Sequence, residues 1–232
     1  MIIAGLLAGT GVYGMAEHII RRCVSDPLIE VVWVLTPEGR FKSKEFMCQD
    51  KIRHINSWVG EDSHNKTGIN RERMRHQIYE NMFLVGDAGL TAKWIVIGDE
   101  DAYPAPDYFE KLDKMDYEYP VLLTGKTFNA DQTRFYDICS FQVDAEPFCV
   151  PYDDWENPRW TKDLYCSGNQ HVMNRSGFKL NVGYIDRPGE DPHYCWAFKK
   201  AGGKLMFRPE LSMTLLKIHQ HANMGSETKL PK

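Results

Sequence analysis

The sequence predicts an α/β fold: a single domain with a mostly parallel central sheet flanked by helices. Three observations carry that reading. A strand, a helix and a second strand follow one another within the first 35 residues, which sets the two strands parallel with a helix crossing between them. The strand candidates are continuous apolar runs, as expected of strands covered on both faces. A glycine-rich turn, Gly9–Gly14, separates the first strand from the helix, where α/β domains bring backbone close to a ligand.

Met1–Ala8 reads as the first buried strand, and Met15–Val24 as a helix with Ile19 and Ile20 on its apolar side. Ser25-Asp26-Pro27 stops that helix, because proline cannot continue it. Ile29–Leu35 is the second strand. Residues 36–68 are polar and irregular, with a weak helical signal around Lys44–Trp58. Ile69–Leu84 reads as an arginine-rich helix, ended by Gly86. Trp94–Ile97 is the third buried strand and runs into Gly98-Asp99-Glu100-Asp101. A short helix is expected at Asp107–Met115, and strands at Val121–Thr124 and Phe135–Val143. Residues 144–168 read as a long loop. Gln170–Phe178 and Pro192–Lys200 read as helical, and Leu205–Phe207 and Leu211–Ile218 as two final strands.

Composition narrows the function classes. A chain of 232 residues with 43% hydrophobic residues buries a core without staples. The net charge of −4 carries no whole-chain basic footprint for nucleic acid. Six cysteines occur without a C-x-x-C pair, which points to reduced, mostly buried thiols. Met1–Ala8 has no positive segment before it, and no run reaches the roughly 20 apolar residues of a membrane span. A cytoplasmic location with no transmembrane segment is the expectation.

The chemistry concentrates after the third strand. Asp99 and Asp101 are two apart, and in extended backbone such side chains point the same way. Carboxylates at the carboxyl end of a parallel strand suit a hard divalent cation, Mn²⁺ or Mg²⁺, that keeps substrate phosphates among its ligands. Farther on, residues 181–191 read NVGYIDRPGED, followed by an apolar helix. Pro192 suits the first helical position, which sets Asp191 near the N-cap. Arg71 and Arg75 are four apart and share a helix face, and arginine grips phosphate through two bonds. Residues 152–160, YDDWENPRW, combine aromatic faces and acids where an acceptor would dock.

The loop Gly9-x-Gly11-x-x-Gly14 also matches the dinucleotide fingerprint. That leaves an NAD(P)-binding Rossmann oxidoreductase as an alternative. Against it, no acid ends the second strand at the expected distance, and no hydride-transfer set such as Tyr-x-x-x-Lys occurs. A non-catalytic nucleotide-sugar-binding module is the other alternative.

Taken in order, Gly98-Asp99-Glu100-Asp101, Gly183-Tyr184-Ile185-Asp186, Gly189-Glu190-Asp191, Ala201-Gly202-Gly203, Pro209 and His219 resemble the GT-A glycosyltransferases, family 2-like. The resemblance runs from Met1 to about His221. It implies a metal-dependent enzyme that moves a sugar from a nucleotide-sugar donor to an acceptor hydroxyl, with inversion. Residues 1–120 would bind the donor and 121–232 the acceptor, which is a glycan, a protein or a modified nucleobase. By the resemblance Asp101 binds the metal, and Asp99 holds the donor ribose or the metal through water. His219 supplies the last metal ligand, with His221 its alternative. Asp191 is the catalytic base beside Glu190, which orients the acceptor. Ala8, Gly9 and Thr10 lie under the nucleotide, and Arg71 and Arg75 contact it. Where the family has an acid after the second strand, this chain has Thr36-Pro37-Glu38, so Glu38 takes that place.

Overall fold

The structure, a computed structural model, describes residues 2–7, 13–37, 49–57, 76–82, 91–99, 101–128, 130, 135–136, 139–140, 150–151, 170–183 and 190–216. The first unit is β1 (Ile2–Leu7), α1 (Tyr13–Ser25) and β2 (Ile29–Pro37). Ala16, Ile19, Ile20 and Cys23 repeat at helical spacing and are all buried, so α1 lays one stripe on the sheet. Burying each of the larger aliphatic side chains there contributes roughly 1.5–3 kcal/mol. After α1, Asp26 turns the chain by accepting a hydrogen bond from Leu28 N at 3.0 Å.

β3 (Ile52–Ser57) follows, then a helix over 76–82, here α2. β4 (Trp94–Asp99), β5 (Ala102–Pro104), α3 (Tyr108–Asp113) and β6 (Val121–Phe128) come next. β7 (Phe135–Tyr136), β8 (Cys139–Ser140) and β9 (Val150–Pro151) are two-residue strands. The described chain closes with β10 (His171–Asn174), α4 (Arg175–Phe178), α5 (Glu190–Lys200) and β11 (Lys204–Leu215).

One nine-stranded sheet runs β3-β2-β1-β4-β10-β6-β11-β5, with β7 paired to β6. β3, β2, β1 and β4 are mutually parallel. β10 is antiparallel to both β4 and β6, so β6 and β11 run the same way as β4, and β5 runs against β11. The sheet is therefore mixed, and six of its nine strands run the same way, in keeping with the mostly parallel sheet expected from the sequence. Successive residues of β4 face opposite layers. Trp94 and Val96 join the core under α1 and α3, and Ile95 and Ile97 the core under α2 and α5.

Several elements differ from the sequence reading, among them β5 and β9, which were not expected as strands. β3 is a strand where residues 44–58 suggested weak helix. Ile52 and Ile55 are three apart, a helical spacing, yet they enter opposite core layers, as an odd offset along a strand requires. Residues 170–178 were expected to be helical, but β10 occupies 171–174 before the short α4 begins. Gln170, His171 and Asn174 are polar and nonetheless buried, which hid a central strand. The two final strands are one. β11 has four residues, 208–211, between Phe207 and Ser212 where β6 has only Gly125 between Thr124 and Lys126, so Pro209 falls in a bulge.

Candidate functional site

The chain leaves β1, goes outward through β2 to β3, then returns to the other side of β1 as β4. That reversal is a topological switch point, and ligands of open α/β sheets bind at such a crevice beyond the carboxyl ends of the strands. Leu7, the last residue of β1, pairs with Asp99, the last residue of β4.

Asp99 is half-buried and follows Ile95 and Ile97 along the strand, the side on which α5 lies. Asp101 sits in the turn after β4, only 4% exposed. Asp99 ends β4 and Asp101 opens the turn that leads into β5. That bend is tied to the end of β11: Leu216 N donates to Asp101 O at 2.8 Å, and Ala102 pairs with Leu215.

Glu190 and Asp191 open α5, which begins two residues before the expected start at Pro192. Both lie inside the first helical turn, and a carboxylate there is favoured by the helix dipole. Tyr194, one turn on, is buried and stacks on His171 with ring centroids 5.2 Å apart and planes 19° apart. Its hydroxyl donates to Met173 Sδ at 2.9 Å. His171 pairs with Ile97, two residues before Asp99. The stack therefore joins the acid-bearing strand to the helix that carries Glu190 and Asp191.

Gln170, fully buried, does similar work toward β6 and α3. Tyr108 Oη donates to its Oε1 at 3.1 Å, and its Nε2 donates to Thr127 Oγ1 at 3.2 Å and Lys126 O at 3.3 Å. Sequence reasoning missed this Gln170-His171 pair. Its signal was two polar residues directly preceding Val172-Met173, an unusual start for an amphipathic helix. Asn174 caps α4: its Oδ1 accepts from Gly177 N at 2.8 Å and from Val121 N at 3.1 Å.

Ala8, Gly9, Thr10, Glu38, Arg71, Arg75, His219 and His221 lie outside the described residues, as do Asp186 and the loop 152–160. Of the predicted set, the structure describes Asp99 at the end of β4 and Asp101 in the turn before β5, and gives the backbone position of Glu190 and Asp191. The described oxygen donors suit a hard divalent cation. Among the described residues no cluster of three or more His, Cys, Asp or Glu forms, and the remaining ligands of such an ion would come from substrate phosphates. No described helix is long and apolar enough to cross a membrane.

A switch-point crevice with an acidic bend at its edge, on this strand order, defines the GT-A type of fold. Solved structures agree. Residues 1–349 of TarS from S. aureus, solved with UDP-GlcNAc, match with a TM-score of 0.62 at 9% identity, over 98% of this chain and 62% of that one. The mannosyltransferase PcManGT from Pyrobaculum calidifontis, solved with GDP-Man and Mn²⁺, matches with a TM-score of 0.58 at 10% identity, over 96% of this chain and 58% of that one. The chain thus spans about three fifths of the length of these two structures. No protein-family model matches the chain, and no curated protein matches it. At these identities the likeness establishes the fold.

Proposed function

We propose that this chain is a metal-dependent glycosyltransferase that moves a sugar from a nucleoside-diphosphate sugar to an acceptor hydroxyl with inversion. One observation carries the reading: the ends of β1, β4 and β11 meet at the switch point around Asp99 and Asp101. Two solved proteins of this fold hold a nucleotide-sugar, and one of them holds Mn²⁺ as well. In this reading Asp101, Asp99 and His219 hold Mn²⁺ or Mg²⁺, which would offset the diphosphate charge as it departs. Ala8, Gly9, Thr10, Arg71 and Arg75 cradle the nucleotide, and Glu38 contacts its base. Asp191 takes the proton from the acceptor hydroxyl, and Glu190 orients the acceptor.

Thermal shift and titration calorimetry with UDP-, GDP- and TDP-sugars, NAD and NADP, each with and without Mn²⁺, test the reading. A ligand at about 100 times its Kd stabilises by roughly 2.7 kcal/mol. Mn²⁺-dependent stabilisation by a sugar nucleotide, lost in Asp101→Asn, is the expected result. Binding of NAD alone would return the glycine loop to the dinucleotide reading. Once a donor is known, Asp191→Asn should leave its affinity intact and slow transfer by about a hundredfold or more, because asparagine accepts no proton. Transfer at the parent rate would move the base to Glu190 or Asp186.

A further inference from the structure

A lysine stands level with Asp99, two strands away. Val172 of β10 pairs with Val96 of β4 on one side and with Leu123 of β6 on the other. β4 and β6 run the same way, so Asp99 and Lys126 each lie three residues beyond that shared partner, toward the crevice. They also fall on one face. Ile95 and Ile97 of β4 join the core under α5, as do Leu122 and Phe128 of β6, and Asp99 and Lys126 continue those two rows. Thr127, the next residue, goes to the opposite layer, where it meets Gln170 beside Tyr108.

α5 crosses this same face and begins at the same end. Its Tyr194 stacks on His171, level with Ile97. Phe198, one turn farther, fills the space beside Gly177 and Gly203 at the far end of the sheet. Glu190 and Asp191 precede Tyr194, so they open the helix on the crevice side, as Lys126 does on β6. Lys126 is also well held. Its carbonyl accepts from Gln170 Nε2 at 3.3 Å, and it pairs with Ser212 of β11. The residue is half-buried, and a lysine in that setting packs its stem while keeping the ammonium in the open.

The spacing suits one ligand group. Two strand spacings set β4 and β6 about 9.6 Å apart. A metal–oxygen contact of about 2.1 Å on the Asp99 side and an ammonium–oxygen contact of about 2.8 Å on the other fit that width with one phosphate between them. In sugar transfer the bond from the anomeric carbon to the phosphate oxygen breaks and its electron pair stays on that oxygen. The acceptor oxygen bonds to the carbon and gives its proton to Asp191. Charge therefore grows on the phosphate next to the sugar, where a fixed cation is most effective.

We propose that Lys126 binds the sugar-bearing phosphate of the donor, across from the divalent cation, and keeps hold of it as the nucleoside diphosphate departs. The proposal rests on the glycosyltransferase reading and adds to it a phosphate-binding residue on β6.

Titration calorimetry of the full chain with Mn²⁺ tests it, using UDP, GDP and TDP beside the matching nucleoside monophosphates. Lys126→Met keeps the stem and removes the charge. It should weaken the diphosphate that the parent binds by about tenfold or more, the effect of one hydrogen bond between charged groups, and leave the monophosphate unchanged. Lys126→Arg, which keeps the charge, should restore most of the affinity. Equal diphosphate affinity in parent and Lys126→Met overturns the assignment, as does an equal loss for diphosphate and monophosphate. In either case a parent that binds a nucleoside diphosphate leaves the glycosyltransferase reading standing. A parent that binds none removes that reading, and this assignment with it.

Discussion

The two sides of the sheet are built differently. On the β3-β2-β1-β4 side every strand is parallel, and the side chains between layers are mainly aliphatic. On the β10-β6-β11-β5 side, β10 and β5 run against the parallel pair β6 and β11, and polar groups enter the core: Gln170, His171, Asn174, Thr124 and Thr127 are all buried there. The first side supplies the crevice, and its tolerance follows from soft packing. The second side fixes the angle at which α5 and the acid bend approach that crevice, and it does so through specific contacts. Substitutions should therefore be harsher on the mixed side.

The largest effect is expected at Gly125. A Cβ there would lie 1.8 Å from Leu211 O, in the bulge of β11, and backbone cannot step aside as a side chain can. Gly125→Ala should cost about 3 kcal/mol in urea unfolding. A cost below about 1 kcal/mol would show that the bulge yields, and the contrast between the sides would lose its strongest support.

His171 comes next. His171→Leu removes the stack on Tyr194, worth roughly 0.5–1.5 kcal/mol beyond burial, and should lower turnover about tenfold without changing nucleotide affinity. His171→Phe, which keeps a flat ring, should restore most of the rate. Equal rates in parent and His171→Leu would mean that the stack stabilises the fold without positioning α5.

Gly5, on the parallel side, is the counterpart of Gly125. Its Cβ would meet Met82 Sδ at 3.1 Å, the far end of a flexible side chain. Gly5→Ala should change stability by less than about 1 kcal/mol, since lost strain-free space is offset by a stiffer unfolded chain.

The smallest effect is a pH slope. Burial pushes the Cys23 thiol up to about 12, with Arg22 opposing slightly. Folded chains hold this proton more tightly than unfolded ones. The stabilisation is complete below the unfolded value of about 8.5 and is lost as pH rises from there toward 12. Burial raises the Tyr108 hydroxyl as well, and the Cys23 thiol beside it adds to the rise. Unfolding midpoints from pH 8 to 11 should fall less steeply in Cys23→Ala than in the parent. Identical slopes would exclude the thiol as a contributor.

The same contrast explains what was legible in the sequence. Ile2–Leu7, Ile29–Pro37 and Trp94–Asp99 read correctly because parallel, doubly covered strands are apolar throughout. α1 read correctly because its buried positions repeat at helical spacing and a proline follows. Asp99 was picked out because it ends such a strand. β10 was missed because burial there is satisfied by hydrogen bonds and ring stacking, which hydrophobic pattern does not register. β5, just after Asp101, was missed because its pairing partner is β11, more than a hundred residues away.

β10 also has a bearing on how the chain is made. It separates β4 from β6, yet it is synthesised after both. Until the ribosome has delivered residues 171–174, β4 and β6 each present an unsatisfied edge, and an unpaired edge invites association with other chains. We expect the first hundred residues to settle early and the centre of the sheet to close late. A nascent chain halted at residue 165 should therefore bind a holding chaperone, and one halted past residue 216 should not. Equal capture at both lengths would argue that the sheet waits for no such keystone.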